Sequence, residues 1–480
     1  MLEIYEPSRV FHYFEEICAI PHPSYHEKQI SDYIVNFAKE HNIQYWQDDL
    51  YNVIMIKEAS EGYEDVEPVI IQGHMDMVAE QDSDCKKDML KEGLDLQVID
   101  GFISAKGTTL GGDDGVAVAM ALAILEDDTI KHPRIEVIIT VSEEVGMEGA
   151  AGIDVSMLKG HKMLNLDSEE EGIFLAGCAG GCRLDLTATM NQVEATGVKI
   201  TIEIDNCTGG HSGSEIDKMR ANASMLIIRL LSKAVLLSDG GIKLAYFMGG
   251  TKDNAITRSA KAIFFVDENI SDKLIDEAEN IIDEYSVSDP DMELNITDET
   301  GKCGLAADET TSANFISMAA SCPNGVQRMS LDTLGLVETS LNLGVTAFDM
   351  EEAAEAKLSY CIRSSVESAK NALIEKIALI GKVHGAQVGI HGSYPAWQFK
   401  RQSQFRDTMV EIYEDMFGVR PQVMTLHAGL ECGLLSEKIK DLDAVSLGPE
   451  LYDIHTPKER LSIASTKRMY DYVLKVLEHK

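Results

Sequence analysis

The chain has 480 residues, 45% hydrophobic and 25% charged, the balance of an ordinary globular protein and not of a disordered or fibrous one. A formal net charge of -38, uninterrupted by any Lys/Arg-rich stripe, argues against nucleic acid and anionic membrane surfaces as partners. Nine cysteines, odd in number and scattered, fit a reducing cytoplasm better than a disulfide scaffold.

The first residues, Met1-Leu-Glu-Ile-Tyr-Glu6, carry neither a basic nor an apolar leader region, and the longest apolar run, Val116 to Leu125, is too short to span a bilayer. A cytoplasmic location is therefore expected. Apolar positions recur at helical spacing from Tyr5 to about Asn42, interrupted at Pro21-His-Pro23, and strand-like and helical segments then alternate to about Cys178. That alternation predicts an α/β fold with a mostly parallel sheet flanked by helices.

Within it, Pro68-Val-Ile-Ile-Gln72 runs into Gly73-His74-Met75-Asp76. Residues i and i+2 of an extended segment face the same way, so His74 and Asp76 suit a metal ligand and the carboxylate that orients it. Alone, the pair reads more simply as an exposed strand end. Gly111-Gly112-Asp113-Asp114-Gly115 opens the apolar helix Val116 to Leu125, which has no polar face and should be buried. Two carboxylates would repel a phosphate and attract a divalent cation, and no Walker-type Gly-Lys-Ser/Thr follows. The plain alternative is a helix start with Asp as its cap. Ile135 to Val141 leads to Ser142-Glu143-Glu144, whose adjacent side chains diverge, so one can bind a metal while the other serves as general acid and base. A solvated turn is the simpler alternative. Lys162-Met-Leu-Asn-Leu166 leads to Asp167, the member of the acidic run 167–171 nearest a strand end. Cys178-Ala-Gly-Gly-Cys182 has metal-like spacing but no second pair to complete a structural zinc site, which leaves buried thiols as the expectation.

From about Leu184 to His391 the texture becomes that of an α+β insertion, with strands at 198–204, 244–248, 260–266 and 357–363, and helices over 215–234, around 272–285 and up to Val383. Ser393-Tyr-Pro-Ala-Trp397 marks the return. A short strand, Leu442 to Leu447, ends at Gly448-Pro449, and the loop beyond it carries His455. A lone loop histidine is usually solvent-exposed. Its weight comes from company: His74, Asp113, Glu144, Asp167 and His455 all follow strands or a Gly loop, where ligands of open α/β sheets collect. Two imidazoles and three carboxylates suit a pair of divalent ions, zinc first, with Co or Mn as alternatives, and Asp113 as the bridge.

With Thr108-Thr-Leu-Gly-Gly-Asp113-Asp-Gly, Ser142-Glu-Glu-Val-Gly, Asn165-Leu-Asp167-Ser-Glu, Gly209-Gly-His211-Ser-Gly and His427-Ala-Gly-Leu-Glu-Cys-Gly433 in view, the chain resembles the M20 metallopeptidase family, specifically its Xaa-His dipeptidase branch (aminoacyl-histidine dipeptidase, peptidase D, carnosinase-like). The resemblance covers essentially the whole chain. It implies a discontinuous zinc-peptidase catalytic domain, 1–183 and 395–480, with an inserted lid domain, 184–394. It further implies that His74 and Asp167 hold one metal, Glu144 and His455 the other, and that Asp113 bridges them. Glu143 and Asp76 join the catalytic set, with His211 steadying the carbonyl oxygen, and Asn254, Arg363 and His427 contact substrate. Two positions depart from the branch: Asp114 stands where Asn is frequent, and Asp453-Ile454-His455 replaces a Gly-x-His pattern.

The expected function is dinuclear metal-dependent hydrolysis of short unblocked peptides, preferentially Xaa-His dipeptides such as β-Ala-His, by a metal-bridging hydroxide with Glu143 as general base and acid. The alternatives are an N-acyl amino acid amidohydrolase, or a catalytically inactive metal-binding interaction protein. A small peptide is the expected partner, and a homodimer is expected by family analogy.

Overall fold

A computed structural model describes residues 1–238 and 241–480. The chain divides into two compact units: Met1–Cys178 with Phe399–Thr425 and Leu430–Lys480, and Ala179–Gln398 with Leu426–Gly429.

In the first unit, alternating strands and helices build an eight-stranded sheet. Its centre is parallel, running Ile135–Thr140, Val69–His74, Lys162–Asn165, Asp443–Ser446. Antiparallel strands flank it: Val53–Lys57 and Gln44–Gln47 on one side, Ile173–Cys178 on the other. Strands Val69–His74 and Ile135–Thr140 are buried at every position, which is why they read as continuous apolar runs instead of alternating ones. Helix Gly112–Glu126 is buried from Gly112 to Leu125, as its lack of a polar face requires, and shares a core with Phe11, Phe14 and Ile17 of helix Ser8–Cys18. Each such buried Val, Leu, Ile or Phe contributes roughly 1.5–3 kcal/mol of transfer free energy. Helix Ser8–Cys18 stops short of Pro21 and the next begins only at Lys28. A small four-stranded sheet, in the order Leu451–Tyr452, Arg460–Ser462, Phe102–Ala105, Leu96–Ile99, ties the segment after His455 to the one before the Gly-rich loop.

The second unit is an antiparallel sheet of nine strands with helices packed on it. Gln192–Asp205 alternates: Val198, Ile200, Ile202 and Ile204 are buried, while Lys199, Thr201 and Glu203 are partly exposed. Strands Lys243–Gly249, Ala260–Val266 and Glu355–Ser364 and helices Ser271–Tyr285 and Glu367–Val383 lie where the spacing places such elements. The helix expected over 215–234 begins later, at Ala223, and runs to Leu237. Residues 216–218 form a 3-10 turn ended by Met219 in the left-handed region, and Asn222 then caps the true helix by accepting from Met225 N. Leu426–Gly429, counted from sequence with the C-terminal segment, belongs to the second unit, where Ala179 N donates to Leu426 O at 3.0 Å. Cys178 and Cys182 are buried and form no disulfide. Among the described residues no helix is long and apolar enough to cross a membrane.

Candidate active site

The parallel centre of the first sheet delivers its polar residues to one edge. His74 is the last residue of its strand. Gly73 must be glycine there, because a Cβ would stand 2.5 Å from Asp114 Oδ2 and 2.8 Å from Ala117 Cβ. Glu143 and Glu144 follow strand Ile135–Thr140 through Ser142, which sits at φ 53, a left-handed conformation uncommon for a non-glycine residue. Glu27 holds that turn, accepting from Ser142 N at 3.0 Å and Ser142 Oγ at 2.8 Å. His455 is also left-handed, at φ 60. Non-glycine residues held in this region cluster at functional sites, where the surroundings over-determine them.

These residues meet around Asp113. His74 Nε2 lies 3.2 Å from Asp113 Oδ1 and 3.6 Å from Asp167 Oδ1. His455 Nε2 lies 3.2 Å from Asp113 Oδ2 and 2.9 Å from Glu144 Oε1. The five candidate ligands of the sequence thus form one cluster, with Asp113 between the two imidazoles. Ligand atoms of His74, Asp113 and Glu144 lie within 4.8 Å of one another, as do those of His74, Asp114 and Asp167. His74 Nδ1 faces the Asp76 carbonyl oxygen at 3.0 Å, which places a proton on Nδ1 and aims Nε2 at the carboxylates. The Asp76 carboxylate accepts from Glu143 N at 3.0 Å, Glu144 N at 3.3 Å and Ser24 Oγ at 2.8 Å. Asp76 therefore orients the Glu143-Glu144 turn as well as the imidazole.

The remaining predicted residues lie in the second unit. His211 Nδ1 accepts from Gly213 N and Ser214 N, both at 3.2 Å, so its proton sits on Nε2, free to donate. Burial, and then the Arg363 charge, lower the pKa of His211, which keeps the ring neutral. Arg363 is buried; Nη1 donates to Tyr394 Oη at 2.8 Å and Nε has no hydrogen-bond partner. His427 Nε2 meets Ser340 Oγ at 2.7 Å while its buried Nδ1 is also without a partner. Burial, reinforced by Arg363 and His211, pushes the His427 pKa down to about 3. Asn254 lines, with His211, a groove of 1070 Å³.

A sequence profile described as Peptidase family M20/M25/M40 matches residues 70–479. The chain belongs to this peptidase family. It is 34% identical to the cytosol non-specific dipeptidase of Escherichia coli K12, over 98% of this chain and 97% of that one. The crystal structure of aminoacylhistidine dipeptidase from Vibrio alginolyticus superposes with a TM-score of 0.91 at 33% identity, covering 100% of this chain and 98% of that one. Aminopeptidase PepT of Bacillus cereus shares the fold at a TM-score of 0.56 and 16% identity, covering 99% of each chain. The fold is accordingly that of an M20 peptidase with catalytic and lid domains, and the chain is a hydrolase of that class.

The electrostatics of the M20 cluster fit a cation. Burial disfavours a charged His74, yet hydrogen bonds to Asp113, Asp167 and Asp76 outweigh it and hold its pKa well above the ordinary value. The Asp113 and Glu144 carboxylates, 3.2 and 2.9 Å from its Nε2, push His455 up to about 10. Burial works to raise Asp113, but its bonds with His455 and His74 win and lower it. Burial, opposed by His74 and reinforced by Asp113 and Glu144, raises Asp167 to about 6. Burial also raises Asp114 and Glu143 well above the carboxylate range, with neighbouring carboxylates adding to the effect. Carboxylates outnumber imidazoles, so the cluster needs positive charge at its centre. Glu144 Oε1 is buried without a hydrogen-bond donor although His455 Nε2 stands 2.9 Å away. Two lone-pair atoms converging off the hydrogen-bond direction are arranged as ligands of a common ion, and imidazole nitrogen with carboxylate oxygen is a donor set for zinc and its neighbours.

Several carboxylates escape sequence reasoning. Asp114 enters there as one of two cation-attracting carboxylates and as a departure from the branch, without the contact its Oδ2 makes by accepting from His74 N at 3.3 Å. Glu431, fully buried, accepts from Gln72 Nε2 at 2.5 Å and Thr140 Oγ1 at 2.6 Å, and Asn165 Nδ2 donates to Gln72 Oε1 at 2.6 Å. It pins together the three strands that carry His74, Glu143-Glu144 and Asp167. Burial first, opposed by His74 and Thr140 and aided by Asp167, raises its pKa to about 8. The available signal was Gln72, Thr140 and Asn165, polar residues in strands otherwise apolar and buried, which must have an internal partner.

Proposed function

We propose that this M20 peptidase is a dinuclear metal-dependent dipeptidase that cleaves short unblocked peptides, preferentially Xaa-His dipeptides such as β-Ala-His, in the cytoplasm. The observation that carries the metal reading is the placing of His74 Nε2 and His455 Nε2 against opposite oxygens of Asp113, each at 3.2 Å. His74 and Asp167 would hold one ion and Glu144 and His455 the other, with Asp113 available to both. Zinc suits the donors, with cobalt and manganese as replacements. When bound, the ions supply Lewis acidity that polarises the scissile carbonyl and acidifies water.

Glu143 takes the proton of the attacking water and returns it to the leaving amine; its burial raises its pKa, the direction a base working near neutrality needs. Asp76 keeps Glu143 in place through the backbone N–H that it accepts. His211, neutral and protonated on Nε2, donates to the oxygen on which charge develops. Arg363, with a spare buried N–H, binds the substrate's terminal carboxylate, and Asn254 and His427 add polar contacts.

Two relatives that are 34% and 33% identical over nearly the whole chain are named as dipeptidases, which favours this reading over an N-acyl amino acid amidohydrolase and over an inactive scaffold. The name of the Vibrio protein supports the histidine preference. That of the E. coli relative, a non-specific dipeptidase, supports a second reading with broader scope at the same site. Metal-stripped protein, assayed with and without Zn²⁺, Co²⁺ or Mn²⁺ on β-Ala-His, Gly-His, Leu-Gly and N-acetyl-His, separates the readings. Metal-dependent release from the unblocked His dipeptides ahead of Leu-Gly supports the first, and equal cleavage of Leu-Gly selects the second. Cleavage of N-acetyl-His alone replaces both with the amidohydrolase, and inertness with every metal rejects the enzyme.

A further inference from the structure

The Gly-rich loop poses a problem where it enters helix Gly112–Glu126, because Asp113 (φ -86, ψ 104) and Asp114 (φ -118, ψ 31) are not helical and the regular helix begins only after them. The first backbone N–H groups of a helix have no partner within it and normally take one from a side chain at the cap. Here the cap position is Gly111, left-handed at φ 66, with no side chain to offer. Asp113, which the sequence alone would read as the capping residue, has both carboxylate oxygens turned to His74 and His455.

The acceptor comes from the other end of the chain. Glu459, 2% exposed, receives Leu110 N at 2.7 Å and Gly111 N at 3.1 Å on Oε2, and Gly112 N at 2.8 Å and Asp113 N at 3.4 Å on Oε1. One carboxylate satisfies four successive N–H groups of the loop that precedes the regular helix. Gly112 permits this approach, since a Cβ there would lie 2.7 Å from Leu451 Cδ2 and 3.3 Å from Glu459 Oε1. The segment is also fixed along its length: Arg460 pairs with Ser104 and Leu461 with Ile103 in antiparallel register. Glu459 follows His455 by four residues, so one short stretch of chain carries both a candidate ligand and the cap of the loop that carries Asp113.

We propose that Glu459 is a positioning residue for the metal centre: by capping the Gly-rich loop from outside, it leaves the Asp113 carboxylate free for the ligand cluster and sets the spacing between Asp113 and His455. The inference rests on the metal reading of that cluster. A glutamine at 459 keeps the shape but turns an NH₂ group toward backbone donors, and an aspartate keeps the charge but is one methylene too short to span all four N–H groups.

The test uses full-length Glu459→Gln and Glu459→Asp. Each is stripped of metal and titrated with Zn²⁺ against a chromophoric chelator, and its Co²⁺-loaded form is recorded by visible absorption. Turnover of Gly-His is then resolved into kcat and KM. Zinc affinity should fall by about 10–100-fold at one or both sites, with an altered Co²⁺ spectrum, a kcat loss of similar size and little change in KM. Parent-like Zn²⁺ affinity and Co²⁺ spectrum in either folded variant overturn the proposal. So does failure of both variants to fold, which would make Glu459 a residue of general stability. If the unaltered protein binds metal but cleaves no dipeptide, the functional reading fails, while the zinc titration still decides the role of Glu459.

Discussion

The first unit gathers carboxylates around two imidazoles, and the second gathers an arginine and two histidines with donors to spare. Both clusters are largely buried, with His455 and His211 their more exposed members, and their charge problems are opposite. Around Asp113 the excess is negative and the orphan atom is an acceptor, Glu144 Oε1; around Arg363 the orphans are Arg363 Nε and His427 Nδ1. Burial without a partner is costly for either kind of group, about 1–3 kcal/mol and more when charged. On the proposed reading these two costs answer to ligands of opposite sign, a cation in one unit and an anion in the other. On that reading the contrast also separates the chemistry, with proton transfer among the carboxylates and recognition among the fixed donors.

The sharpest way to break that division is Glu143→Ala. If proton transfer resides in the first cluster, kcat should fall by about 10²–10⁴-fold while zinc content stays at the level of the unaltered protein. Near-normal turnover in the metal-loaded variant removes Glu143 from the role. Asp76→Ala comes next, because one carboxylate steadies both His74 and the Glu143-Glu144 turn. Its loss should weaken zinc binding and turnover by about 10–100-fold each. A variant that lost turnover at full zinc affinity would show that Asp76 serves the base alone.

The two clusters also differ in how well the sequence announces them. His74, Asp113, Glu144 and Asp167 each follow an apolar run or a Gly-rich loop, so local pattern places them at strand and helix ends, and parallel pairing brings those ends together. His455 was legible only through its company. The residues that hold the ligands were not, because Glu459 and Glu431 meet partners hundreds of positions away, and Glu459 stands in a segment whose pairing with Phe102–Ala105 no local pattern encodes. In the second unit, Arg363 reads as a strand-end charge, and its neighbours Tyr394 and His427 come from distant segments. For the same reason a helix was expected eight residues too early, at Glu215 instead of Ala223: apolar spacing does not reveal that Asn222 is the cap.

Arg363→Lys sharpens the recognition side. Lysine keeps the charge but loses the planar fork that lets one N–H bond Tyr394 while another stays free, so KM for Gly-His should rise by roughly 10–30-fold, about 1.4–2 kcal/mol. The kcat should move far less. A kcat loss at constant KM would transfer Arg363 to the chemical step.

The smallest effect tests the second cluster without any substrate. His427 has a folded pKa of about 3 against an ordinary 6.5, so between those values the unfolded chain binds the proton that the folded chain excludes. Stability contributed by the neutral ring is therefore complete above about pH 6.5 and is lost as pH falls through this window. From pH 7 to pH 5.5 the loss should be about 1 kcal/mol, read as a shift in the urea midpoint of the metal-free protein. Every other titrating group contributes to the same curve, so the measurement is a difference: His427→Gln, which cannot be protonated, should lose about 1 kcal/mol less than the unaltered protein over that interval. Identical pH dependence in the two proteins would mean that the His427 ring takes up its proton at the same pH folded and unfolded. The second cluster would then gain a second cation below about pH 6.5, becoming a stronger carboxylate site in acid, and its contrast with the first unit would depend on pH.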